Sequence, residues 1–251
     1  MTIRAVIFDL GHTIWDIRRD EATLARAYVE MRKTLAQRTG RDDLPDAARL
    51  QRAVRDVLRG YVETYENSDD LSQPATCTFV DEAFRTLALE LPEAVLIEIT
   101  GPLFATEIDG LVCKDGTCEA IGALADDGYS IGCVTNTLAG GPAIREMLRR
   151  FELESLMRSV VVSAEEGWRK PHRSLFEKAL REVGVAPDEA AFVGDSPTHD
   201  IAGAQAAGMR AVLTQQYVAR PWEPFGVMPD ATIRHVRELA EVIRRLDAVA
   251  V

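Results

Sequence analysis

Short, continuous runs of apolar residues alternate with amphipathic stretches along most of the chain. The apolar runs are AVIF at 5–8, IGCV at 131–134, VVV at 160–162, AAFV at 190–193 and AVL at 211–213. Runs of this length, without polar alternation, are typical of strands buried on both faces of a sheet. The amphipathic stretches SLFEKALREVG and DIAGAQAAGM each carry a glycine near their end, where helices commonly stop. This alternation predicts an α/β fold with a doubly wound parallel sheet.

Residues 16–106 break the alternation. Apolar residues recur there at helical spacing, and no comparable strand pattern lies between them. We therefore expect an all-helical subdomain of four or five helices, inserted between the first strand and the rest of the sheet. The predicted organisation is an α/β core of residues 1–15 and 107–251 with a helical insert of 16–106. The residues expected to form the core of the insert are Leu24, Tyr28, Met31 and Leu35 in one stripe and Val54, Leu58, Tyr61, Val62 and Tyr65 in another.

Composition narrows the classes of function. The formal net charge of −11 and a pI near 4.9 argue against nucleic-acid or anionic-membrane partners, because both need a basic face. No apolar run approaches the roughly 20 residues of a membrane span, and the N-terminal run is too short for a signal peptide, so a cytoplasmic location is expected. The four cysteines show no metal-ligand spacing and are expected to be buried thiols, with a Cys113–Cys118 disulfide as the alternative.

Polar residues follow four of the predicted strands. Asp9 comes after the first, Thr135-Asn136-Thr137 after the second, Lys170-Pro171 after the third strand and its loop, and Gly194-Asp195-Ser196 after the fourth. In an open parallel sheet, ligands bind outside the carboxyl ends of the strands. One carboxylate at such a position is commonly a helix cap or turn residue. The ordered set of four predicts an active site.

The same four segments resemble the motifs of the haloacid dehalogenase superfamily. They read VIFDLGHTIWD, CVTNT, GWRKPHRSLF and FVGDSPTHDIAGAQAAGM, in the order that the family has them, and they span the whole predicted core. The insertion point of the helical segment matches the type-one cap of that family. The resemblance implies a Rossmann-like core, a mobile helical cap and Mg²⁺-dependent phosphoryl transfer to an aspartate.

Carried over residue by residue, the resemblance implies that Asp9 is the nucleophile and forms an aspartyl-phosphate. An oxygen of Asp9, the backbone carbonyl of Gly11 and the carboxylate of Asp195 would hold Mg²⁺, which offsets the repulsion between Asp9 and a phosphate. Asp200 is a candidate for the same metal site through a bound water. It is also a candidate partner of Lys170, or simply a favourable charge at a helix N-terminus.

Three further residues are candidates for contact with the phosphoryl group. The Thr135 hydroxyl and the Asn136 amide would donate to phosphate oxygens. Lys170 would place its ammonium against the oxygens of Asp9 and the phosphoryl group, acting as a point charge. The expected substrate is a small phosphorylated metabolite, and no feature of the pattern indicates an oligomeric state.

One position departs from the family pattern. Family phosphatases usually carry a second aspartate two residues after the nucleophile, which protonates the leaving group and later activates water, and this chain has Gly11 there. The loss matters least for a substrate whose leaving group departs without a proton. His12 is a candidate replacement acid, because its ordinary pKa is near 6.5, and a contact with the cap or the substrate is the other interpretation.

The missing carboxylate keeps two alternatives open. One is a 2-haloacid dehalogenase that uses Asp9 without a metal; such enzymes also lack the second aspartate, but they usually carry tyrosine at the Gly11 position and lack the acid-rich fourth motif. The other is a binding protein that kept the fold and lost turnover. The intact GDSPTHD segment favours the Mg²⁺-dependent phosphatase over the first, and the joint presence of Asp9, Thr135, Lys170 and Asp195 favours it over the second.

Overall fold

The computed structural model describes residues 2–18, 20–67 and 69–249, and within these the strands form one parallel sheet and one short ribbon. In chain order, the strands are β1 (Ala5–Phe8), β2 (Trp15–Ile17), β3 (Leu111–Cys113), β4 (Ser130–Thr135), β5 (Met157–Val162), β6 (Ala190–Gly194), β7 (Arg210–Thr214) and β8 (Ala231–Ile233). The sheet has the order β5-β4-β1-β6-β7-β8, which confirms the predicted doubly wound fold.

The central strand β1 shows why its sequence is apolar throughout. Val6 and Phe8 belong to the hydrophobic cluster on one face of the sheet, and Ala5 and Ile7 belong to the cluster on the other face. Successive side chains of a strand point to opposite faces, so a strand covered by helices on both sides has no polar position. All five predicted runs lie within observed strands, and the predictions for them are confirmed.

Helices cover both faces of the sheet. Residues of α5 (Thr117–Asp126), α6 (Gly141–Arg150) and α10 (Leu239–Val249) join the cluster on one face, and residues of α8 (Arg173–Val183) and α9 (Ala202–Ala206) join the cluster on the other. The glycine that ends SLFEKALREVG is Gly184, which has a φ of 77° and donates its N–H to Leu180 O, as expected for a helix C-terminus. The described helices are α1 (Glu21–Thr39), α2 (Ala47–Asn67), α3 (Thr76–Arg85), α4 (Glu93–Asp109), α5 (Thr117–Asp126), α6 (Gly141–Arg150), α7 (Ser163–Glu166), α8 (Arg173–Val183), α9 (Ala202–Ala206) and α10 (Leu239–Val249).

The helices α1 to α4 lie between β2 and β3 and have a hydrophobic core of their own, to which α2 contributes Leu50 and Val54. The predicted first stripe is correct at Tyr28, Met31 and Leu35, which are buried. The second stripe is partly wrong, because Val62 is 49% exposed and Tyr65 lines a cavity at the strand ends, outside this core. The period of 3.6 residues predicted the helix correctly. Near its C-terminal end, however, Tyr65 contacts Asn136, in the loop after β4, and not the core of the insert.

The ribbon of β2 and β3 joins the helical segment to the sheet. The strands are antiparallel, with Trp15 opposite Cys113 and Ile17 opposite Leu111. Helix α4 continues to Asp109, so the predicted boundary at 106 and 107 falls inside it. The assignment of 16–106 as a separate domain stays a prediction.

The four cysteines differ in burial. The cysteines are free; Cys133 is buried, whereas Cys77, Cys113 and Cys118 are only half-buried because they lie on the insert, the ribbon and the helix beside it. The expectation of buried thiols is therefore wrong for these three residues. The Sγ atoms of Cys113 and Cys118 are 3.4 Å apart and unbonded. None of the helices among the described residues has the length and hydropathy of a membrane-spanning segment.

Candidate active site

The carboxyl ends of three neighbouring strands bring together the first group of predicted site residues. Asp9 follows β1 and donates its N–H to Val193 O of β6 at 2.8 Å, which fixes its backbone between the strands. Thr135 is the last residue of β4, and Asp195 follows β6. All three side chains are buried. Chain order reverses at β1, so this is the crevice in which a doubly wound sheet binds its ligand.

Lys170 reaches this crevice from the loop between α7 and α8. Its Nζ lies 2.6 Å from Asp9 Oδ1 and 2.7 Å from Asp200 Oδ1, and the side chain is 2% exposed. Burial alone would lower the pKa of Lys170, but the carboxylates of Asp200 and Asp9 raise it above its usual value, so the side chain stays an ammonium ion. Of the roles considered for Asp200, the structure shows the pairing with Lys170.

The turn after β6 explains how Asp200 reaches the crevice. Pro197–Ile201 form a π-helical turn with Ser196 as its N-terminal cap, and Asp200 Oδ2 accepts the N–H of Ser196 at 2.9 Å. A Cβ atom on Gly194 would lie 2.4 Å from the Asp200 carboxyl carbon. Gly194 is therefore required by the close approach of the Asp200 carboxylate, six positions after it.

Three carboxylates form a group that suits a hard divalent cation. Asp9, Asp195 and Asp200 each offer an oxygen, and these oxygens lie within 4.8 Å of one another. Two ligand oxygens on opposite sides of Mg²⁺ are about 4.2 Å apart, since each bond is about 2.1 Å. The carboxylates therefore fit the ion directly or through a water. Gly11, whose carbonyl is the other candidate ligand, lines the same cavity.

Asp9 and Asp195 both have pKa values above the usual range for a carboxyl group. Burial raises the pKa of Asp9 to about 7, and it exceeds the opposing effect of Lys170. Burial, with the charge of Asp200, raises the pKa of Asp195 to about 6 although the Arg220 guanidinium opposes it. The ionised form of each carboxyl is therefore destabilised in this environment. A divalent cation would supply the charge that stabilises both.

Asn136 has a different place from the one its position suggested. Its Oδ1 accepts the N–H of Lys170 at 2.7 Å, and its Nδ2 donates to Lys170 O at 3.1 Å and to the Tyr65 hydroxyl at 3.2 Å. The two Nδ2 hydrogens are thus both used by protein groups. In this structure the amide holds the backbone of Lys170 and offers no free donor to a phosphate.

His12 and Gly11 lie at the mouth of the crevice. His12 has a φ of 56°, in the left-handed region, and its Nδ1 is 3.3 Å from Asp16 Oδ1, with both side chains more than two-fifths exposed. Gly11 does not have a left-handed φ, and a Cβ atom placed on it meets no atom within 4 Å. The position that lacks the second carboxylate is therefore open space two residues after Asp9.

A cavity of about 280 Å³ lies above these residues, and it has contributors that the sequence did not suggest. Arg220, in the loop after β7, pairs with Asp195 at 2.8 Å and is 44% exposed. Tyr65 comes from α2, where its spacing had placed it in the helical core. His199 lies in the fourth motif and packs edge-on against Tyr65. Spacing identifies Tyr65 as interior, but only the docking of α2 shows that it faces this cavity.

Comparisons with known proteins agree with this geometry. A family model described as haloacid dehalogenase-like hydrolase matches residues 3–208. The chain is 38% identical to a glyceraldehyde 3-phosphate phosphatase from Methanopyrus kandleri over 97% of this chain and 98% of that protein. It is 30% identical to a phosphoglycolate phosphatase from Rhodospirillum rubrum, over 90% of this chain and 85% of that one.

A solved structure agrees in fold as well. The 2-haloacid dehalogenase from Pseudomonas syringae pv. Tomato DC3000 superposes with a TM-score of 0.66 at 24% identity, over 98% of this chain and 100% of that one. The resemblance drawn from the four motifs is confirmed. Since the family model matches most of the sequence and a relative above 30% identity aligns along nearly all of it, this chain belongs to the haloacid dehalogenase-like hydrolase family.

Proposed function

We propose that this chain is an Mg²⁺-dependent phosphatase that hydrolyses a small phosphorylated metabolite through an aspartyl-phosphate on Asp9. The observation that carries the proposal is the convergence of Asp9, Asp195 and Asp200 on one point, with the Lys170 ammonium between two of them. A site that lacked a phosphoryl substrate and a cation would have no need to bury three carboxylates together, because each buried charge costs free energy. The family relationship and the phosphatase relatives support the same conclusion.

The geometry assigns the chemical steps to particular side chains. Lys170 binds Asp9 Oδ1 and leaves the second carboxylate oxygen to attack phosphorus. The bond from phosphorus to the leaving oxygen then breaks, and that oxygen takes a proton from His12 or from solvent. Thr135, buried at the end of β4, donates its hydroxyl to a phosphoryl oxygen. A water molecule then attacks the phosphorus of the aspartyl-phosphate and releases phosphate and Asp9. Mg²⁺, held by Asp9, Asp195, the Gly11 carbonyl and, through water, Asp200, would neutralise the approaching phosphate.

Substrate size follows from the cavity and from the relatives. A cavity of about 280 Å³ suits a small phosphate ester. The relatives that align over most of the chain are named for glyceraldehyde 3-phosphate and for phosphoglycolate, both small phosphate esters. We propose that residues 16–106 act as a cap above this cavity, since Tyr65 from α2 lines it. Closure of such a cap would exclude bulk water from the aspartyl-phosphate.

The test is phosphate release from p-nitrophenyl phosphate and from a panel of small phosphate esters, with Mg²⁺ and with EDTA. We expect release that needs Mg²⁺ and that is abolished in Asp9→Asn. Asp230→Asn is the control, because Asp230 also pairs with a basic side chain, that of Arg210, but does not line the cavity. Activity in Asp9→Asn equal to that of the native chain contradicts the nucleophile. Halide release from chloroacetate without a metal would instead establish the dehalogenase, which the absence of a carboxylate at Gly11 permits.

A further inference from the structure

We propose that Tyr65 is a positioning residue for Lys170 and that it acts through Asn136. The inference rests on the proposed function, in which the Lys170 ammonium binds Asp9 and the phosphoryl group. Tyr65 belongs to α2 of the helical segment, whereas Asn136 and Lys170 belong to loops of the α/β core. The proposal therefore connects the docking of the helical segment to the alignment of a catalytic side chain.

A continuous chain of hydrogen bonds links Tyr65 to the catalytic lysine. The Tyr65 hydroxyl accepts from Asn136 Nδ2 at 3.2 Å. The same amide accepts the N–H of Lys170 and donates to its carbonyl, at 2.7 and 3.1 Å. Both polar groups of the Lys170 backbone are thus held by one side chain, and the orientation of that side chain depends on a hydroxyl from the helical segment.

Arg169 holds Tyr65 in place from the other side. Its guanidinium carbon lies 3.5 Å from the centroid of the Tyr65 ring, and the side chain is 3% exposed. Its Nη2 donates to the carbonyls of Tyr65 and Asp70 at 3.3 and 2.5 Å. A buried cation stacked on an aromatic ring is a strong contact, because no water competes for the cation. The residue next to Lys170 therefore fixes the ring whose hydroxyl orients Asn136.

Backbone hydrogen bonds also join the loop that carries Lys170 to the helical segment. Arg169 N–H donates to Leu71 O at 2.9 Å, and Gln73 N–H donates to Gly167 O at 2.9 Å. The residues before Lys170 thus pair, strand to strand, with the segment that follows α2. The loop that carries Lys170 is part of the surface on which the helical segment docks. When the segment is docked, both side-chain and backbone contacts fix Lys170; when it is displaced, Asn136 loses its outer partner.

The physical consequence is a dependence of turnover on the Tyr65 hydroxyl. Displacement of a catalytic group by about 1 Å can lower a rate by about a hundredfold. Tyr65→Phe keeps the ring and the stacked guanidinium and removes only the hydrogen bond to Asn136. We expect kcat to fall about three- to tenfold with little change in KM, which is the scale of one neutral hydrogen bond. Because Lys170 binds the phosphoryl end, the loss should be equal for substrates with different leaving groups.

A double-mutant cycle tests the route through Asn136. Tyr65→Phe, Asn136→Ala and the double variant are compared by kcat on p-nitrophenyl phosphate and on a small alkyl phosphate. We expect Tyr65→Phe to have no further effect once Asn136 is alanine, because the two residues act in series. The proposal is overturned if the double variant loses the product of the two single-variant losses in kcat. It is also overturned if Tyr65→Phe leaves kcat unchanged. A loss confined to one leaving group also overturns it, since that result means that Tyr65 contacts the substrate.

A second measurement does not depend on turnover. Hydrogen exchange of the peptide that contains Lys170 reports the bond from its N–H to Asn136 Oδ1. Tyr65→Phe should accelerate this exchange, whereas Tyr61→Phe, which removes a hydroxyl one helical turn earlier from a ring packed against Phe79, should not. If no phosphate ester is hydrolysed by the native chain, the proposed function fails and the exchange still decides the contact. Equal exchange in the two variants and the native protein contradicts the proposal.

Discussion

Lys170 Nζ lies 2.6 Å from Asp9 Oδ1 in a site where both side chains are at least nine-tenths buried. An ion pair at this depth is not a source of stability, because removal of two charges from water costs about as much as their attraction returns. The arrangement suits catalysis instead. Lys170 contacts one oxygen of Asp9 directly, and in the proposed mechanism the other oxygen attacks phosphorus.

The first prediction concerns the stability of the metal-free protein as pH changes. Burial raises the pKa of Asp9 to about 7 and that of Asp195 to about 6, from a usual value of 3.8. Between the unfolded and folded pKa values the folded state binds more protons than the unfolded state. The free energy of unfolding should therefore decrease as pH rises from about 4 to about 7, by up to about 1.4 kcal/mol per pH unit for each group.

Urea unfolding in EDTA, at intervals from about pH 4 to about pH 8, measures this slope. Asp9→Asn should show a clearly shallower decrease, because it removes the carboxyl with the larger shift. Lys170 does not contribute to the slope in this range, since its pKa is raised and it stays charged in both states. An identical slope in the native chain and in Asp9→Asn would mean that Asp9 does not retain a proton in the folded state.

The second prediction is that Mg²⁺ stabilises the folded protein through Asp195. A ligand that binds only the folded state adds about 2.7 kcal/mol at one hundred times its Kd. The melting temperature in Mg²⁺ should therefore exceed that in EDTA by several degrees, and the difference should disappear in Asp195→Asn. Asp230→Asn, which changes a carboxylate paired with Arg210, should keep the difference. A shift that survives in Asp195→Asn would place the cation elsewhere.

The sequence predicted the sheet and the strand ends well because both depend on local pattern. A strand buried on both faces has to be apolar at every position, and β1, β4, β5, β6 and β7 each carry that signal. β8 was missed because ATI is short and half-exposed, and β2 and β3 because a three-residue ribbon has no readable period. Asp9 and Asp195 were identified because they directly follow strands that were themselves predictable.

The cavity residues that the sequence did not predict reach the cavity only through the tertiary packing of distant segments. Tyr65 has the spacing of a core residue in α2, and nothing in the helix itself distinguishes the turn that faces Asn136. Arg220 lies in a loop without a motif, and only the return of the chain beside β6 brings it to Asp195. The hydrogen bonds of Asn136 could not be predicted for the same reason, because its partner Lys170 is 34 positions away in the chain.

The third prediction concerns Arg220, whose guanidinium binds one of the two carboxylate oxygens of Asp195, a proposed metal ligand. Arg220→Ala frees that oxygen and removes a positive charge that would repel Mg²⁺, so the affinity for Mg²⁺ should increase. The side chain is 44% exposed, which limits the expected effect to about 1 kcal/mol, or about a fivefold lower Kd. Titration calorimetry of the metal-free protein measures it.

Arg210→Ala is the matched control for that experiment. Arg210 is 43% exposed and pairs with Asp230 at 2.9 Å, so it has nearly the same exposure and geometry at a site away from the cavity. Its removal should leave the Kd for Mg²⁺ unchanged within about twofold, because solvent screens a distant charge. Weaker Mg²⁺ binding in Arg220→Ala would show that Arg220 orients Asp195 for the metal and does not compete with it.

The fourth prediction is that Gly11→Asp supplies the missing general acid. A Cβ atom at Gly11 meets no atom within 4 Å, so the backbone accepts a side chain there without displacing a neighbour. General acid catalysis typically contributes about 10²–10⁴-fold. For an alkyl phosphate, whose leaving oxygen needs a proton, we expect the first turnover of Gly11→Asp to be at least about tenfold faster. For p-nitrophenyl phosphate the leaving group departs as an anion, and its release should change little.

Rapid-quench measurement of leaving-group release in the first turnover separates this step from the later hydrolysis of the aspartyl-phosphate. Gly11→Asn is the control, since it has the size and polarity of aspartate but no proton to transfer at ordinary pH. His12→Ala in the same assay tests whether His12 already serves as the acid. If it does, that variant slows the alkyl phosphate selectively and Gly11→Asp adds little. An equal gain from aspartate and asparagine, or an equal gain on both substrates, would mean that the new side chain improves binding and transfers no proton.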